Sequence, residues 1–277
     1  MGFTWRLVVD DAPGCGAWNM VVDQAIHNAR VEGRVPPTLR IYQWSRPTVS
    51  LGRFQDASSI DLTYCAEHGV DVVRRSTGGR GVLHDDEVTY SIVASVEDGV
   101  PRGVAASYRH LCTGLEEAYR ILGVDAELTR RTSGDGASAA CYLHATPADL
   151  SVGARKLSGS AQVWVGTTVL QHGSFTITRD LAREFAIFRM DHSARWSMVA
   201  TTATLSDQLA EAPSRSAIVV AIRQGLERGL GIALVQGELT QVETACAMKL
   251  QAVSDRRGIK GVERPGDTSG TSGLSEG

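Results

Sequence analysis

Apolar positions recur along the chain with two periods, one helical and one strand-like. Between residues 16 and 33, apolar side chains alternate with polar ones at about one helical turn, and Gly33 ends the pattern, which predicts a helix. Similar spacing predicts helices over residues 59–69, 105–122 and 216–231. Short β-branched runs bounded by turn residues predict strands at 5–9, 36–44, 48–52, 70–75, 87–96 and, in succession, 150–177.

Helices and strands are mixed without a strict strand–helix–strand alternation. This order predicts an α+β fold with a mixed, largely antiparallel sheet and flanking helices. The length fits one large domain, or one domain with a small appendage, and we expect the domain to span residues 1–255. Residues 256–277 lose their apolar positions and are rich in Gly, Ser and Thr, which predicts a disordered tail.

Composition and charge narrow the class of protein. The chain has 277 residues, 43% of them hydrophobic and 21% charged, with a net charge of −3, which argues against a nucleic-acid partner. No run approaches the roughly 20 apolar residues of a membrane span, and no signal-peptide pattern opens the chain, so we expect a cytoplasmic protein without a membrane partner. The five cysteines are scattered without a C-x-x-C pair, which disfavours a disulfide framework and a zinc site and favours reduced thiols.

A glycine-rich stretch, "RRSTGGRGVLHDDEVTYS" at residues 74–91, lies between two strand-like runs. Glycines at 78, 79 and 81 allow positive φ and a close approach of the backbone to a ligand. Backbone N–H groups there could bind an anion, reinforced by Arg74, Arg75 and Arg80. No Lys-Ser/Thr follows the glycines and no helix opens after them, so neither a P-loop nor a dinucleotide fold is indicated. A glycine-rich hairpin with a solvated rim, and a structural His84–Asp85 pair, explain the same composition equally well.

Three blocks of the chain together resemble a known superfamily. The loop at 74–91 resembles the signature of the biotin/lipoate protein ligase and octanoyltransferase superfamily, and "GARKLSGSAQVWVGTTVLQHGSF" at 153–175 resembles its second conserved block. At the N-terminal end, "NMVVDQAI" and "LRIYQWSRPTVSLGRFQ" match the family's helix and strand pair, so the likeness extends from about Trp5 to Thr178 in family order. The resemblance implies the catalytic-domain fold of this superfamily, which is similar to that of class II aminoacyl-tRNA synthetases, over residues 1–255.

Within the superfamily, Cys141 is the residue that separates the groups. Cysteine-dependent octanoyltransferases carry Cys-Phe or a close variant here, and this chain has Cys141-Tyr142, whereas ATP-dependent lipoate ligases typically carry an Asn-Asp pair after an Arg. Lys156 follows at the separation of the octanoyltransferase group, and the loop keeps that group's T-G-G-R-G-V-L-H-D form. One departure is "ATPADL" at 145–150, where the group has Pro-Ser-x-Tyr-Glu, which leaves donor and acceptor preference open.

The resemblance implies an octanoyl-[acyl carrier protein]:protein N-octanoyltransferase of lipoate biosynthesis, an acyltransferase with catalytic Cys141 and Lys156. Its partners would be octanoyl acyl carrier protein and lipoyl-domain proteins such as glycine cleavage H protein or the E2 subunit of 2-oxoacid dehydrogenases. No metal or cofactor is expected, and a monomer is the default. The alternatives are a lipoate–protein ligase using ATP and Mg²⁺, and a non-catalytic lipoyl- or acyl-binding module.

Substrate-binding candidates come from the two conserved blocks. His84 and Asp85 are expected to shape the site rather than to act as the primary base, and His172 is more simply explained by a structural hydrogen bond. The remaining cysteines match nothing in the family and are expected to be structural. The full set of binding candidates is Arg75, Ser76, Thr77, Gly78, Gly79, Arg80, Gly81, Val82, His84, Asp85, Gly159, Ser160, Ala161, Gln162 and His172.

Overall fold

The structure is a computed structural model that describes residues 2–129 and 149–257. The predicted nucleophile Cys141 lies outside the described residues. The described strands are β1 Thr4–Val9, β2 Thr38–Tyr42, β3 Thr48–Leu51, β4 Asp71–Arg74, β5 Val82–His84, β6 Glu87–Ser95, β7 Glu127–Leu128, β8 Leu150–Val152, β9 Arg155–Ser158, β10 Ser160–Val165, β11 Thr168–Thr176 and β12 Ala233–Gln236. The described helices are α1 Gly16–Val31, α2 Leu62–Glu67, α3 Val104–Ile121, α4 Leu181–Ile187, α5 His192–Thr201, α6 Leu205–Gln208, α7 Arg215–Leu230 and α8 Gln241–Arg257.

The main sheet has six strands in the order β10-β11-β6-β2-β1-β12. Strand β1, next to the edge strand β12, runs parallel to β2 and to β12, and the other three pairings are antiparallel. The predicted mixed, largely antiparallel sheet with flanking helices is therefore confirmed. Two three-stranded sheets, β4-β3-β5 and β7-β8-β9, accompany it.

Alternation along β6 separates the two faces of the main sheet. Tyr90 and Ile92 belong to the core beneath α3 and α7, whereas Val93 packs toward α1 and α8. This is the period-2 pattern of a strand that is covered on both sides. The helices α3 and α7 touch at glycines, because a Cβ built on Gly225 would lie 2.4 Å from the backbone nitrogen of Ala118.

The predicted helices at 16–33, 59–69, 105–122 and 216–231 correspond to α1, α2, α3 and α7. Helix α8 continues through Arg257, so it includes the first two residues of the segment predicted to be disordered. The rest of that segment, 258–277, lies outside the described residues, and disorder there stays a prediction. Among the helices of the described ranges, none is long and apolar enough to cross a membrane.

Candidate active site

A pocket that opens to solvent lies between the main sheet, the small sheet β4-β3-β5 and the glycine loop. One part of its wall is apolar, formed by Met20, Tyr42, Trp44 and Val82, and the rest is polar. An acyl chain with a reactive carbonyl at one end needs walls of both kinds. The lining residues are Met20, Tyr42, Trp44, Ser50, Arg75, Gly79, Val82, His84, Thr89, Gly159, Ser160, Ala161, His172, Gly173 and Ser174.

Arg75 holds the glycine loop in its fold. Its guanidinium is buried, and it donates to the main-chain oxygens of Ser50 at 2.6 Å, Gly78 at 2.8 Å and Arg80 at 2.7 Å. Arg74 acts similarly on the preceding loop, donating to the carbonyls of Gly52 and Gln55 at 2.7 and 2.6 Å. Both arginines thus bind protein carbonyls, whereas the sequence suggested that they would reinforce an anion site. A binding role for Arg75 toward substrate stays a prediction.

Arg75 also links two hydroxyl groups, those of Ser50 and Thr77. Its guanidinium donates to Ser50 Oγ at 3.1 Å and to Thr77 Oγ1 at 3.2 Å. The Ser50 hydroxyl lies 2.8 Å from His84 Nε2, and the Thr77 hydroxyl lies 2.7 Å from His172 Nε2. Because each hydroxyl oxygen accepts a hydrogen bond from Arg75, its O–H group can donate a hydrogen bond to the imidazole of His84 or His172.

One branch of this hydrogen-bond network leads from Ser50 through His84 to the buried carboxylate of Glu87. His84 Nδ1 lies 2.7 Å from Glu87 Oε1, so the partner of His84 is Glu87 and not the adjacent Asp85 proposed from sequence. Burial raises the pKa of Glu87, but His84 and the hydroxyls of Ser174 and Thr89 outweigh it, and the pKa is lowered overall. The imidazole stacks on Trp44 with ring centroids 4.1 Å apart, which fixes both rings in the pocket wall.

The other branch of this network leads from Thr77 through His172 to the carboxylate of Asp23, a residue of α1. Asp23 lies opposite a row of side chains from three adjacent strands, since Arg40 of β2 pairs with Ser91 of β6 and Ser91 with His172 of β11. Its carboxylate accepts from Arg40 and Ser91 at 2.8 Å each, and His172 Nδ1 lies 3.5 Å away. Burial raises the pKa of Asp23, but Arg40, His172 and Ser91 outweigh it, so the pKa is lowered.

Burial lowers the pKa of His172, and hydrogen bonding to Asp23 only partly opposes this. Its hydrogen bond with Thr77 joins β11 to the glycine loop. The structural explanation preferred from sequence therefore agrees with the contacts of His172, which also borders the pocket.

Lys156 lies at the edge of the pocket beside Gly159. It extends from β9, is 2% exposed, and places its ammonium 3.0 Å from Asp149 Oδ2. A Cβ built on Gly159 would lie 3.3 Å from Lys156 Nζ. Since Gly159 borders the pocket, the ammonium is held just behind this part of its wall.

Two tyrosines hold the turn between β9 and β10. Tyr108 of α3 donates to the carbonyl of Ser160 at 3.0 Å, and Tyr90 of β6 lies 2.7 Å from the Ser160 hydroxyl. Gly173 leaves room for this contact, because a Cβ there would lie 2.7 Å from the carbonyl oxygen of Gly159. The backbone of residues 159–161 is therefore fixed against the neighbouring strand.

Asp85 requires a correction. It was predicted as a binding residue, but its carboxylate pairs with Arg183 of α4 and borders a separate small cavity instead of the pocket. It faces away because it follows the last residue of β5, where His84 takes the inward position.

Other binding candidates also lie outside the lining. Gln162 points to the α3 side of the sheet, where it bonds Gln171 and Ser107, because alternation along β10 turns it away from Ala161. The carbonyls of Gly78 and Arg80 accept from Arg75 and so shape the loop from within. The remaining binding candidates outside the lining are Ser76, Thr77 and Gly81.

Several site residues were missed by sequence reasoning. Asp23 and Glu87 stand at fixed positions inside the matched blocks, so the blocks themselves contained the signal. Tyr42, Trp44 and Ser50 are likewise inside the matched strand pair, but nothing in a single sequence shows that they turn toward one pocket.

Two of the four described cysteines have the burial expected of structural residues. Cys65 and Cys112 are buried, and burial raises the pKa of their thiols to about 11 and about 12. Cys15 is exposed and Cys246 is half-buried. Within the described ranges, no group of three His, Cys, Asp or Glu side chains could hold a metal ion.

Comparison with known proteins identifies the family of this chain. A model of the lipoyl protein ligase A/B catalytic domain matches residues 16–227, and the chain belongs to this family. Among its relatives, a protein named octanoyltransferase LipM from Kyrpidia tusciae is 39% identical over 263 residues, covering 90% of this chain and 95% of that protein. Octanoyltransferase LipM of Symbiobacterium thermophilum is 38% identical over 264 residues, with 90% and 95% coverage.

Solved structures confirm the biotin/lipoate protein ligase catalytic fold. A lipoate-protein ligase A bound with ATP has a TM-score of 0.76 and 25% identity, covering 91% of this chain and 95% of that one. The bi-partite lipoate protein ligase from Thermoplasma acidophilum, described with its E2 lipoyl domain, has a TM-score of 0.77 and 24% identity, with 95% and 98% coverage.

Proposed function

We propose that this protein is an octanoyltransferase of lipoate biosynthesis, which moves an octanoyl group from acyl carrier protein to a lysine of a lipoyl domain through a thioester on Cys141. The observation that carries the proposal is the buried Lys156 ammonium behind Gly159, at the edge of a pocket with an apolar wall. Relatives named octanoyltransferase LipM, similar over nine-tenths of the chain, support it.

The first half-reaction forms an acyl-enzyme. The Cys141 thiolate attacks the carbonyl carbon of the octanoyl thioester, a new C–S bond forms, and the carrier's C–S bond breaks. The carrier thiolate leaves and takes up the proton that the Lys156 ammonium gives away. A cation beside a thiol favours the thiolate, and the Lys156 ammonium is the group that we assign to this role.

The second half-reaction forms the amide. The lysine ε-amine of the lipoyl domain attacks the acyl-enzyme, a C–N bond forms, and Cys141 leaves as the thiol after taking the proton that the amine loses. Lys156, once it has given its proton away, can relay this proton. Backbone N–H groups of residues 159–161, fixed by Tyr90 and Tyr108, are suited to stabilising the oxyanion of both steps.

The route needs no nucleotide or other cofactor, because exchanging one thioester for another is nearly isoenergetic and forming the amide is downhill. The acceptors are lipoyl-domain proteins such as glycine cleavage H protein or dehydrogenase E2. We place the reaction in the cytoplasm, where the thiol of Cys141 stays reduced.

A second candidate is an ATP-dependent lipoate–protein ligase. The fold that the chain shares with a lipoate-protein ligase A bound with ATP favours it. Such an enzyme would make its own acyl adenylate from free acid and would not need Cys141.

Intact-protein mass spectrometry separates the two functions. The purified protein is mixed with octanoyl acyl carrier protein without ATP, beside the Cys141→Ala variant. A gain of one octanoyl group that is absent from the variant, and is discharged by an apo lipoyl domain, is the expected result. Acceptor modification that appears only with free octanoate and ATP, and survives in Cys141→Ala, would instead identify a ligase.

A further inference from the structure

An exposed aromatic side chain lies in the loop at residues 52–56, directly after β3. Phe54 is 88% exposed, and Trp196 of α5 is exposed at 67%. The guanidinium of Arg53, also exposed, lies 5.3 Å from the centroid of the Phe54 ring. A single exposed aromatic residue is ordinary, so its position relative to the pocket decides whether it has a role.

The loop at 52–56 is fixed to the glycine loop at 74–81. The backbone N–H of Arg53 donates to the carbonyl of Thr77 at 2.8 Å, and Arg74 binds two carbonyls of the 52–56 loop. A Cβ built on Gly52 would lie 1.9 Å from the carbonyl oxygen of Gly79, so the two backbones are in direct contact. Gly79 is exposed and also borders the pocket, which places this contact at the pocket mouth. Phe54 and Arg53 are therefore carried on a rigid turn beside the opening.

The two loops are also positively charged. Residues 52–56 and 74–81 contain four arginines and one aspartate, a net charge of +3 in a chain whose total is −3. Asp56, the acidic residue, accepts a hydrogen bond from the backbone of Ser58. Among the described residues, no carboxylate forms an ion pair with Arg53. An anionic partner is therefore favoured at the mouth.

We infer that Arg53 and Phe54 form the docking surface for the acyl carrier protein that delivers the octanoyl group. The inference rests on the proposed function and names the partner contact of that site. The donor reaches the pocket on a phosphopantetheine arm, whose phosphodiester is an anion. The acceptor instead presents a lysine, which is a cation before it reacts and is repelled by the same charge. An exposed aromatic ring paired with an arginine is also the composition typical of binding hot spots.

Steady-state kinetics with two donors tests the docking surface. The donors are octanoyl acyl carrier protein and the octanoyl thioester of N-acetylcysteamine, which has the same acyl group but neither phosphate nor protein. Arg53→Glu and Phe54→Ala should each raise KM for the carrier protein about tenfold or more. The turnover of the small thioester should change less than twofold. Raising the salt concentration should weaken the carrier reaction of the unmodified protein more than that of Arg53→Glu.

One control repeats the arginine-to-glutamate change elsewhere on the surface, and the other removes a different exposed aromatic ring. Arg34→Glu replaces an arginine whose side chain is 58% exposed, just beyond the far end of α1, and Trp196→Ala removes an exposed aromatic ring from α5. Neither should alter KM for the carrier protein.

Three results would overturn the inference. An equal loss with the small thioester would show that the changes damage the pocket itself. A loss confined to transfer from the preformed acyl-enzyme to the lipoyl domain would assign the surface to the acceptor. Unchanged kinetics with both donors would assign it no role. If the unmodified protein fails to discharge the octanoyl carrier protein without ATP, the proposed function itself fails, and this outcome is distinct from the other three.

Discussion

Lys156 and Asp149 form a buried ion pair, with 3.0 Å between Nζ and Oδ2 and side chains 2% and 3% exposed. Both lie beside Gly159, whose missing side chain lets the pair approach the pocket wall. A buried pair of this kind contributes little net stability compared with apolar residues, but losing one partner leaves the other charge uncompensated. The position of the Lys156 ammonium beside the pocket therefore favours a functional role over a purely stabilising one.

Replacing Lys156 by Met should separate stability from activity. The single variant removes the ammonium from beside the buried Asp149 carboxylate and should lose about 3 kcal/mol of unfolding free energy, together with octanoyl transfer. Adding Asp149→Asn removes the buried negative charge, so the double variant should regain part of the stability without regaining transfer. Urea unfolding and the mass-spectrometric transfer assay measure the two effects. Transfer that returns with stability in the double variant would rule out a chemical role for Lys156.

Gly159→Ala tests whether the position of the ammonium matters. The added Cβ would lie 3.3 Å from Lys156 Nζ and 3.2 Å from Asp149 Oδ1, so one of the two must move by a few tenths of an ångström. We expect octanoyl transfer to fall about tenfold or more, since small displacements of a reacting group cost rate steeply, while the melting temperature changes by only a few degrees. Transfer within twofold of the unmodified rate would show that the site tolerates this shift.

The sequence predicted several residues that border the pocket but not the hydrogen-bond partners that connect them. The matched blocks identified the glycine loop, His84, His172 and the 159–161 turn, because these stand at fixed positions within short motifs. The partner of His172 lies about 150 residues earlier, on α1. The pairing of β2, β6 and β11 aligns Arg40, Ser91 and His172, and the packing of α1 on this sheet brings Asp23 to them.

Direction was harder to predict than proximity. Asp85 and Glu87 both follow His84 within three residues, and a single sequence does not show which carboxylate turns toward the imidazole. Strand β5 ends at His84 and β6 begins at Glu87, so Asp85 falls in the turn and reaches Arg183. The direction of Arg75 was equally hard to predict. A glycine-rich loop with arginines predicts an anion site, but here the Arg75 guanidinium binds main-chain carbonyls of Ser50, Gly78 and Arg80.

Arg75→Lys should loosen the glycine loop. An ammonium lacks the planar five-donor fork, so it cannot serve the carbonyls of Ser50, Gly78 and Arg80 together. Hydrogen–deuterium exchange should rise over residues 76–81 in the protein without substrate, and KM for octanoyl donors should increase. If Arg75 acted only on a substrate anion, exchange in the free protein would stay at the unmodified level while KM still rose. The same exchange measurement on Arg34→Lys, outside the site, provides the baseline for an arginine-to-lysine change.

Stability should fall as the pH drops below about 6.5, partly because of His172. Burial lowers the pKa of His172, so below the ordinary histidine value of 6.5 the unfolded chain binds a proton there that the folded protein does not. Proton uptake on unfolding favours the unfolded state, and each such histidine can contribute up to about 1.4 kcal/mol per pH unit in this window. Burial also lowers the pKa of His27 and His110, so these two histidines also reduce stability as the pH falls. Asp23 has a lowered pKa and stays ionised throughout, so its contribution is lost only at much lower pH. The free energy of unfolding in urea should therefore change less between pH 6.5 and pH 5.5 in His172→Gln than in the unmodified protein. An equal change in both proteins would mean that His172 binds its proton as readily in the folded state as in the unfolded chain.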